Sequence, residues 1–240
     1  GRSRSARLRR RAISLAIDRE SICKKIFNGT RTPAVDFIAP SIPGYTDKLE
    51  GKDAMKYDPA EAKKLWKQAD AISPWEGPLR LTYSADLAGY KEASDAIVNT
   101  LNNDLGVKAE TTVIPTFSEL ADMMDNRKTD TPYMMGWSAD YPAADDYLVQ
   151  LYDSSTADGK GANYGDYKNP DFDALMDKAL ASPSSEEANK YYQQGEELLA
   201  KDLPNIPLWY MNATAVSVPT LKNVSFGYDN ALLLDQISKK

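Results

Sequence analysis

The segment Gly136-Trp137-Ser138-Ala139-Asp140-Tyr141-Pro142 sets one carboxylate between two large aromatics. It follows a short apolar run, Tyr133-Met134-Met135, and precedes the acidic start of Asp145-Asp146-Tyr147-Leu148. A strand ending in Trp-x-x-Asp-Tyr-Pro builds little core. It does present a negative charge beside an aromatic wall at a sheet edge. That combination suits a ligand carrying an ammonium group and some apolar bulk. It does not suit bond breaking, because no nucleophile stands near a base. On these residues alone, Asp140 is either a turn residue before Tyr141-Pro142 or a ligand contact.

Composition removes several chemistries. The 240 residues contain no histidine, which excludes Ser-His-Asp and Cys-His arrangements and the His-x-x-x-His zinc motif. The single cysteine, Cys23, cannot form an internal disulfide or a cysteine metal cluster, and it lies in a helical pattern with Ile22, Ile26 and Phe27. No cofactor or metal site is nominated. The formal net charge of −6 argues against nucleic acid as a partner. The local cluster Arg2, Arg4, Arg7, Arg9, Arg10 and Arg11 reads as a basic tail over residues 1–10, the alternatives being residues foreign to the natural chain or a phosphate-binding arm. No apolar run reaches the length of a membrane span. Gly159-Lys160-Gly161 lacks the strand and helix context of a phosphate loop. Residues 153–164 fail as a calcium loop, with Asp158 where glycine and Tyr164 where glutamate are needed. Asp145 and Asp146 read as a solvated first helical turn favoured by the helix dipole. Arg127 and Lys128 read as a solvated loop, the alternative being contact with a ligand carboxylate.

The elements that must position the segment follow from periodicity and punctuation. A helical pattern covers residues 11–28, with Asp18 placed to cap a fresh turn and Gly29 as its stop. Residues 30–57, rich in proline and glycine, form a long surface excursion. Asp58-Pro59 opens a helix that turns Ala62, Leu65, Trp66 and Ala69 inward. A strand at 79–83, a helix at 89–105 and a strand at 107–114 follow. Thr116-x-x-Glu119 is a capping box for another helix. Residues 133–137 make a third strand. Asn169-Pro170 starts a helix with Phe172, Leu175, Met176, Ala179 and Leu180 on one face. A helix at 186–200 and short strands at 206–211 and 215–218 close the pattern. Strands alternating with helices predict an α/β fold with a parallel or mixed sheet flanked by helices.

Five blocks, in order, resemble the extracellular solute-binding receptors of ABC importers, the oligopeptide and dipeptide class. They are Arg11-Ala12-Ile13-Ser14-Leu15-Ala16-Ile17-Asp18-Arg19-Glu20, then Tyr57-Asp58-Pro59-Ala60-Glu61-Ala62-Lys63-Lys64-Leu65-Trp66. The third is the Gly136 to Pro142 segment. The fourth is Asn163-Tyr164 with Tyr167 to Leu175, and the last is Asp202-Leu203-Pro204-Asn205-Ile206-Pro207-Leu208. The resemblance implies a type II periplasmic-binding-protein lobe. Residues 11–218 would be the C-terminal ligand-binding lobe, and residues 219–240 a tail returning to an N-terminal lobe. It implies a monomeric receptor that encloses an extended peptide, delivers it to an ABC permease and works outside the cytoplasm, in the periplasm or as a lipoprotein. Asp140 would pair with the ligand's α-ammonium, Trp137 would line the site, and the backbone of Gly136 and Ser138 would bond the peptide, with Tyr141 a further contact. The same resemblance admits receptors for oligosaccharides or nickel complexes. Outside that class stand a carboxylate-based hydrolase, for which the sequence nominates no acid pair, and an interaction module without transport.

Overall fold

The computed structural model describes residues 3–239. Helix α1 (Arg4–Ala16) and helix α2 (Arg19–Lys25) lead into strand β1 (Arg31–Pro33). After the excursion come α3 (Pro59–Ile72), β2 (Leu79–Ser84), α4 (Tyr90–Thr100), β3 (Ala109–Ile114) and α5 (Phe117–Asp125). Next are α6 (Asp145–Tyr152), α7 (Pro170–Leu180), α8 (Ser185–Asp202), β4 (Trp209–Met211), β5 (Leu221–Lys222) and β6 (Ser238–Lys239). The caps are those that short polar side chains favour. Asp18, Asp58, Thr116, Asn169 and Ser184 each accept a backbone N–H of the turn that follows.

β2 and β3 pair in parallel, from Leu79 opposite Ala109 to Ser84 opposite Ile114. β1 pairs antiparallel with β4, and β5 with β6. The alternation of strands and helices is thus the α/β pattern expected, but the described strands form three separate two-stranded sheets, one parallel and two antiparallel, where a single parallel or mixed sheet was expected. Three expectations change in detail. The 11–28 helix is two, broken at Ile17 where Asp18 starts α2 by accepting the Ser21 N–H. The strand at 133–137 shrinks to one parallel bridge between Thr82 and Tyr133, beyond which the chain leaves the sheet. Residues 215–218 are not a strand: Val216 is fully exposed, and among the described residues no strand lies beside it for its β-branched pattern to pair with.

Residues 4–10, which the charge pattern suggests are part of a basic tail, are wound into α1. Arg9 explains how a charge enters the fold. Its guanidinium lies over Trp66 at 5.6 Å and Trp75 at 5.4 Å, bonds Asp70 at 2.8 Å and donates to the Ser73 carbonyl. Gly1 and Arg2 lie outside the described residues.

There are two hydrophobic cores. The first joins α1, α3, α4, β2 and β3 through Leu15, Trp66, Leu81, Ile97, Leu101 and Met134. The second joins the excursion to α6, α7 and α8 through Ile38, Ala139, Leu148, Phe172, Met176 and Leu199. Arg19, almost fully buried, ties them to the closing segment. It donates to the carbonyls of Ser14 (2.9 Å), Met55 (2.8 Å) and Pro207 (2.8 Å). Burial lowers its pKa to about 10, still far above neutrality, so the charge stays and those carbonyls are matched.

The excursion is held by a buried acid pair. The Asp36 carboxylate accepts the N–H groups of Phe37 (2.7 Å) and Thr46 (2.9 Å). Glu196 of α8 faces it with no exposed surface, and burial together with Asp36 pushes its pKa well above the ordinary range. Neither Glu196 oxygen has a donor to accept from. As two carboxylates the pair could only repel. With the proton on Glu196 it becomes a donor and an acceptor.

Candidate functional site

The segment between Met134 and Ala139 is pinned at its two ends to different cores. Met134 belongs to the first cluster and accepts a hydrogen bond from Ser94 Oγ at 2.9 Å, while Ala139 belongs to the second. Between them the chain leaves the sheet and belongs to no helix or strand. Among the described residues, the backbone groups of residues 135–138 have no hydrogen-bond partner. Gly136 and Ser138 are exposed and Trp137 is half-buried against the second core. These are four consecutive residues of unpaired backbone, which an extended chain could pair with. Gly136 does not owe its identity to backbone strain. A Cβ there would meet only the Tyr90 hydroxyl, at 3.7 Å, so the bare glycine leaves the backbone open.

α6 positions the end of this stretch. Asp146 stands in its first turn, 1% exposed, and one carboxylate oxygen accepts two donors: Trp137 Nε1 at 3.0 Å and the Asp140 N–H at 3.1 Å. Its other oxygen is buried and without a partner among the described residues. The expectation of a solvated acidic turn therefore fails for Asp146, which is buried, while Asp145 stays at the surface. Asp146 points inward because its neighbours Tyr147 and Leu148 are core residues, and Asp145 accepts the Tyr141 hydroxyl at 2.6 Å. That bond, with some burial, raises the Tyr141 pKa.

Asp140 itself is exposed, and no described residue bonds or pairs with its carboxylate. Its backbone is fixed on both sides. The N–H goes to Asp146, and the carbonyl accepts the Tyr228 hydroxyl at 3.0 Å. Tyr228 comes from the chain's last segment, whose Tyr228 carbonyl accepts Ser41 Oγ of the excursion at 3.0 Å. So the arrangement joins four of the expected residues, Gly136, Trp137, Ser138 and Asp140, in one stretch of chain. Tyr141 sits beside it, with its hydroxyl turned to Asp145.

Sequence reasoning missed Asp146 and Tyr228. For Asp146 no decisive signal existed, since two adjacent acids at a helix start can both face solvent and only the packing of α6 buries one of them. For Tyr228 none existed at all, because its contact spans 88 positions. Arg127 lies apart from this stretch. It bonds Asp166 at 2.9 Å and covers Tyr164 at 5.8 Å, which clasps α5 to the loop before α7. With these carboxyls, amides and a half-buried indole the arrangement can bind and orient. It assembles no nucleophile with a base.

Residues 5–159 match the family described as bacterial extracellular solute-binding proteins, family 5 middle. The chain is 28% identical over 227 residues to heme-binding protein A of Haemophilus influenzae, covering 92% of this chain and 40% of that protein. It is 28% identical to the probable di/tripeptide-binding protein 5 of Pseudomonas aeruginosa, covering 87% of this chain and 38% of the relative. Among solved structures, the periplasmic binding protein DppA of Helicobacter pylori in complex with the peptide STSA superposes with a TM-score of 0.74 at 25% identity. That superposition covers 84% of this chain and 38% of DppA. The fold is therefore that of a periplasmic-binding-protein lobe, and the chain spans about two fifths of the length of these relatives.

Proposed function

The chain belongs to the bacterial extracellular solute-binding proteins of family 5, and on that premise we propose that it is one lobe of a two-lobed receptor that captures peptides for an ABC permease. Residues 11–218, together with the residues of α1 that precede them, form the C-terminal ligand-binding lobe, and residues 219–240 return to the other lobe. The receptor acts outside the cytoplasm, in the periplasm or held at the surface by a lipid, as a monomer, and it binds without catalysing.

One observation carries this reading. A stretch of unpaired backbone, residues 135–138, ends beside a carboxylate that has no partner among the described residues. A peptide laid along that stretch exchanges backbone hydrogen bonds, which are indifferent to side chains. Its α-ammonium then meets Asp140. Trp137 supplies apolar area beside the first side chain, and Gly136 and Ser138 supply donors and acceptors. In open solvent the ion pair is weak, about 1 kcal/mol at 4 Å, whereas near a protein surface of lower dielectric it approaches about 4 kcal/mol. Enclosure by a second lobe is what turns Asp140 from an exposed acid into a selective contact.

The test is mass spectrometry of whatever co-purifies with the full-length receptor. Peptides with free amino termini are expected. Recovery of haem, a sugar or a metal complex in their place would overturn the peptide assignment.

A further inference from the structure

The Asp140 carboxylate can act as an ammonium receptor only if its backbone is held, and the loop around it offers little hydrophobic anchorage. Asp140, Tyr141 and Pro142 are all exposed. The half-buried indole of Trp137 and the Asp140 N–H converge on a single oxygen, Oδ2 of Asp146, at 3.0 and 3.1 Å. We propose that Asp146 is the positioning residue of the binding site: it fixes the spacing between the aromatic wall and the receptor carboxylate without touching the ligand.

Three observations carry this. Asp146 is 1% exposed, so its place is set by the α6 packing of Tyr147 and Leu148 and does not depend on a ligand. It bonds a side chain and a backbone group three residues apart, which locks both the rotamer of Trp137 and the turn that aims Asp140. Its Oδ1 is buried with no partner among the described residues, an arrangement that stability alone disfavours. The arrangement is a cost borne locally where geometry matters, as is common at binding sites.

This inference rests on the peptide reading, and its test separates the two. Asn in place of Asp146 keeps one oxygen able to accept both donors, while Ala removes it. In the full-length receptor, Asp146→Ala is expected to weaken free-amine peptides by roughly tenfold to a hundredfold, the range for hydrogen bonds to a charged group. Asp146→Asn should recover most of that loss. N-acetylated peptides, which make no ammonium contact, should lose only the smaller share carried by Trp137, and Asp146→Ala should add no more than that share to Asp140→Asn. An equal loss for free and acetylated peptides would overturn the proposal, because it would mark a merely structural role. An equal loss in Asp146→Asn would overturn it too, because it would mean that the charge of Asp146 meets the ligand. If the wild type binds no peptide, the peptide reading fails. The clamp is then judged from the Trp137 indole N–H resonance, identified with Trp137→Phe. That proton should be slow to exchange in the wild type and in Asp146→Asn and fast in Asp146→Ala; equal exchange in all three would remove the clamp.

Discussion

Replacing Arg9 by alanine should destabilise the chain by about 2–3 kcal/mol. The charged hydrogen bond to Asp70 at 2.8 Å contributes about 1.5–3 kcal/mol when partly buried. The stacking over Trp66 and Trp75 adds about 0.5–1 kcal/mol for each ring. Two effects reduce the sum. Asp70 is 38% exposed, so it rehydrates once Arg9 is gone. Arg9 Nε is buried without a partner, and deleting it relieves about 1 kcal/mol. Arg4, exposed on the same helix, is the control, and Arg4→Ala should change stability by less than about 0.5 kcal/mol. Urea unfolding of the three proteins, followed by tryptophan fluorescence, measures the difference. If Arg9→Ala and Arg4→Ala unfold at the same midpoint, residues 4–10 contribute nothing to the fold and behave as the tail their composition suggests.

Glu196→Gln should change the pH dependence of stability. Burial raises the Glu196 pKa in the folded chain, so above its ordinary value of 4.5 unfolding releases a proton and stability falls as pH rises, by up to about 1.4 kcal/mol per pH unit. Glutamine has no proton to release, so above pH 4.5 its urea midpoint should fall less with rising pH than that of the wild type; parallel declines would refute the raised Glu196 pKa. Gly195→Ala would place a Cβ 2.6 Å from Met176 Cε and 3.2 Å from Phe172 Cε2. Met176 can swing aside but Phe172 cannot, and after the gain of about 1 kcal/mol in helix propensity the net loss should be about 1 kcal/mol by urea unfolding. Trp137→Ala should weaken many peptides together, by about 1–2 kcal/mol in a competition panel; loss of one class alone would mark a specificity pocket.

The caps were legible because they are local. Asp58-Pro59, Thr116-x-x-Glu119 and Asn169-Pro170 open α3, α5 and α7 at the positions expected. The β2 and β3 strands were legible from alternation and from the turns around them. What escaped was set by distant partners. Arg9 is buried because Trp66 and Trp75 fold over it from 57 and 66 residues away, and no charge count reveals that. Residues 135–138 share the composition of the strands but lack a neighbour to pair with, so periodicity alone overstated the strand. The proposed contacts Gly136, Trp137, Ser138 and Asp140 are named from their segment alone. Asp146 and Tyr228, which hold them, could not be placed without the packing of α6 and the path of the last segment.

The most direct measurement is calorimetry of the full-length receptor with one peptide in two forms, free and N-acetylated, on the wild type and on Asp140→Asn. If Asp140 receives the α-ammonium, the free peptide binds the wild type more tightly by about 2–5 kcal/mol, and Asp140→Asn removes most of that preference. Equal affinity of the wild type for both forms would show that no ammonium is read at Asp140 and would contradict the peptide-receptor assignment of this site.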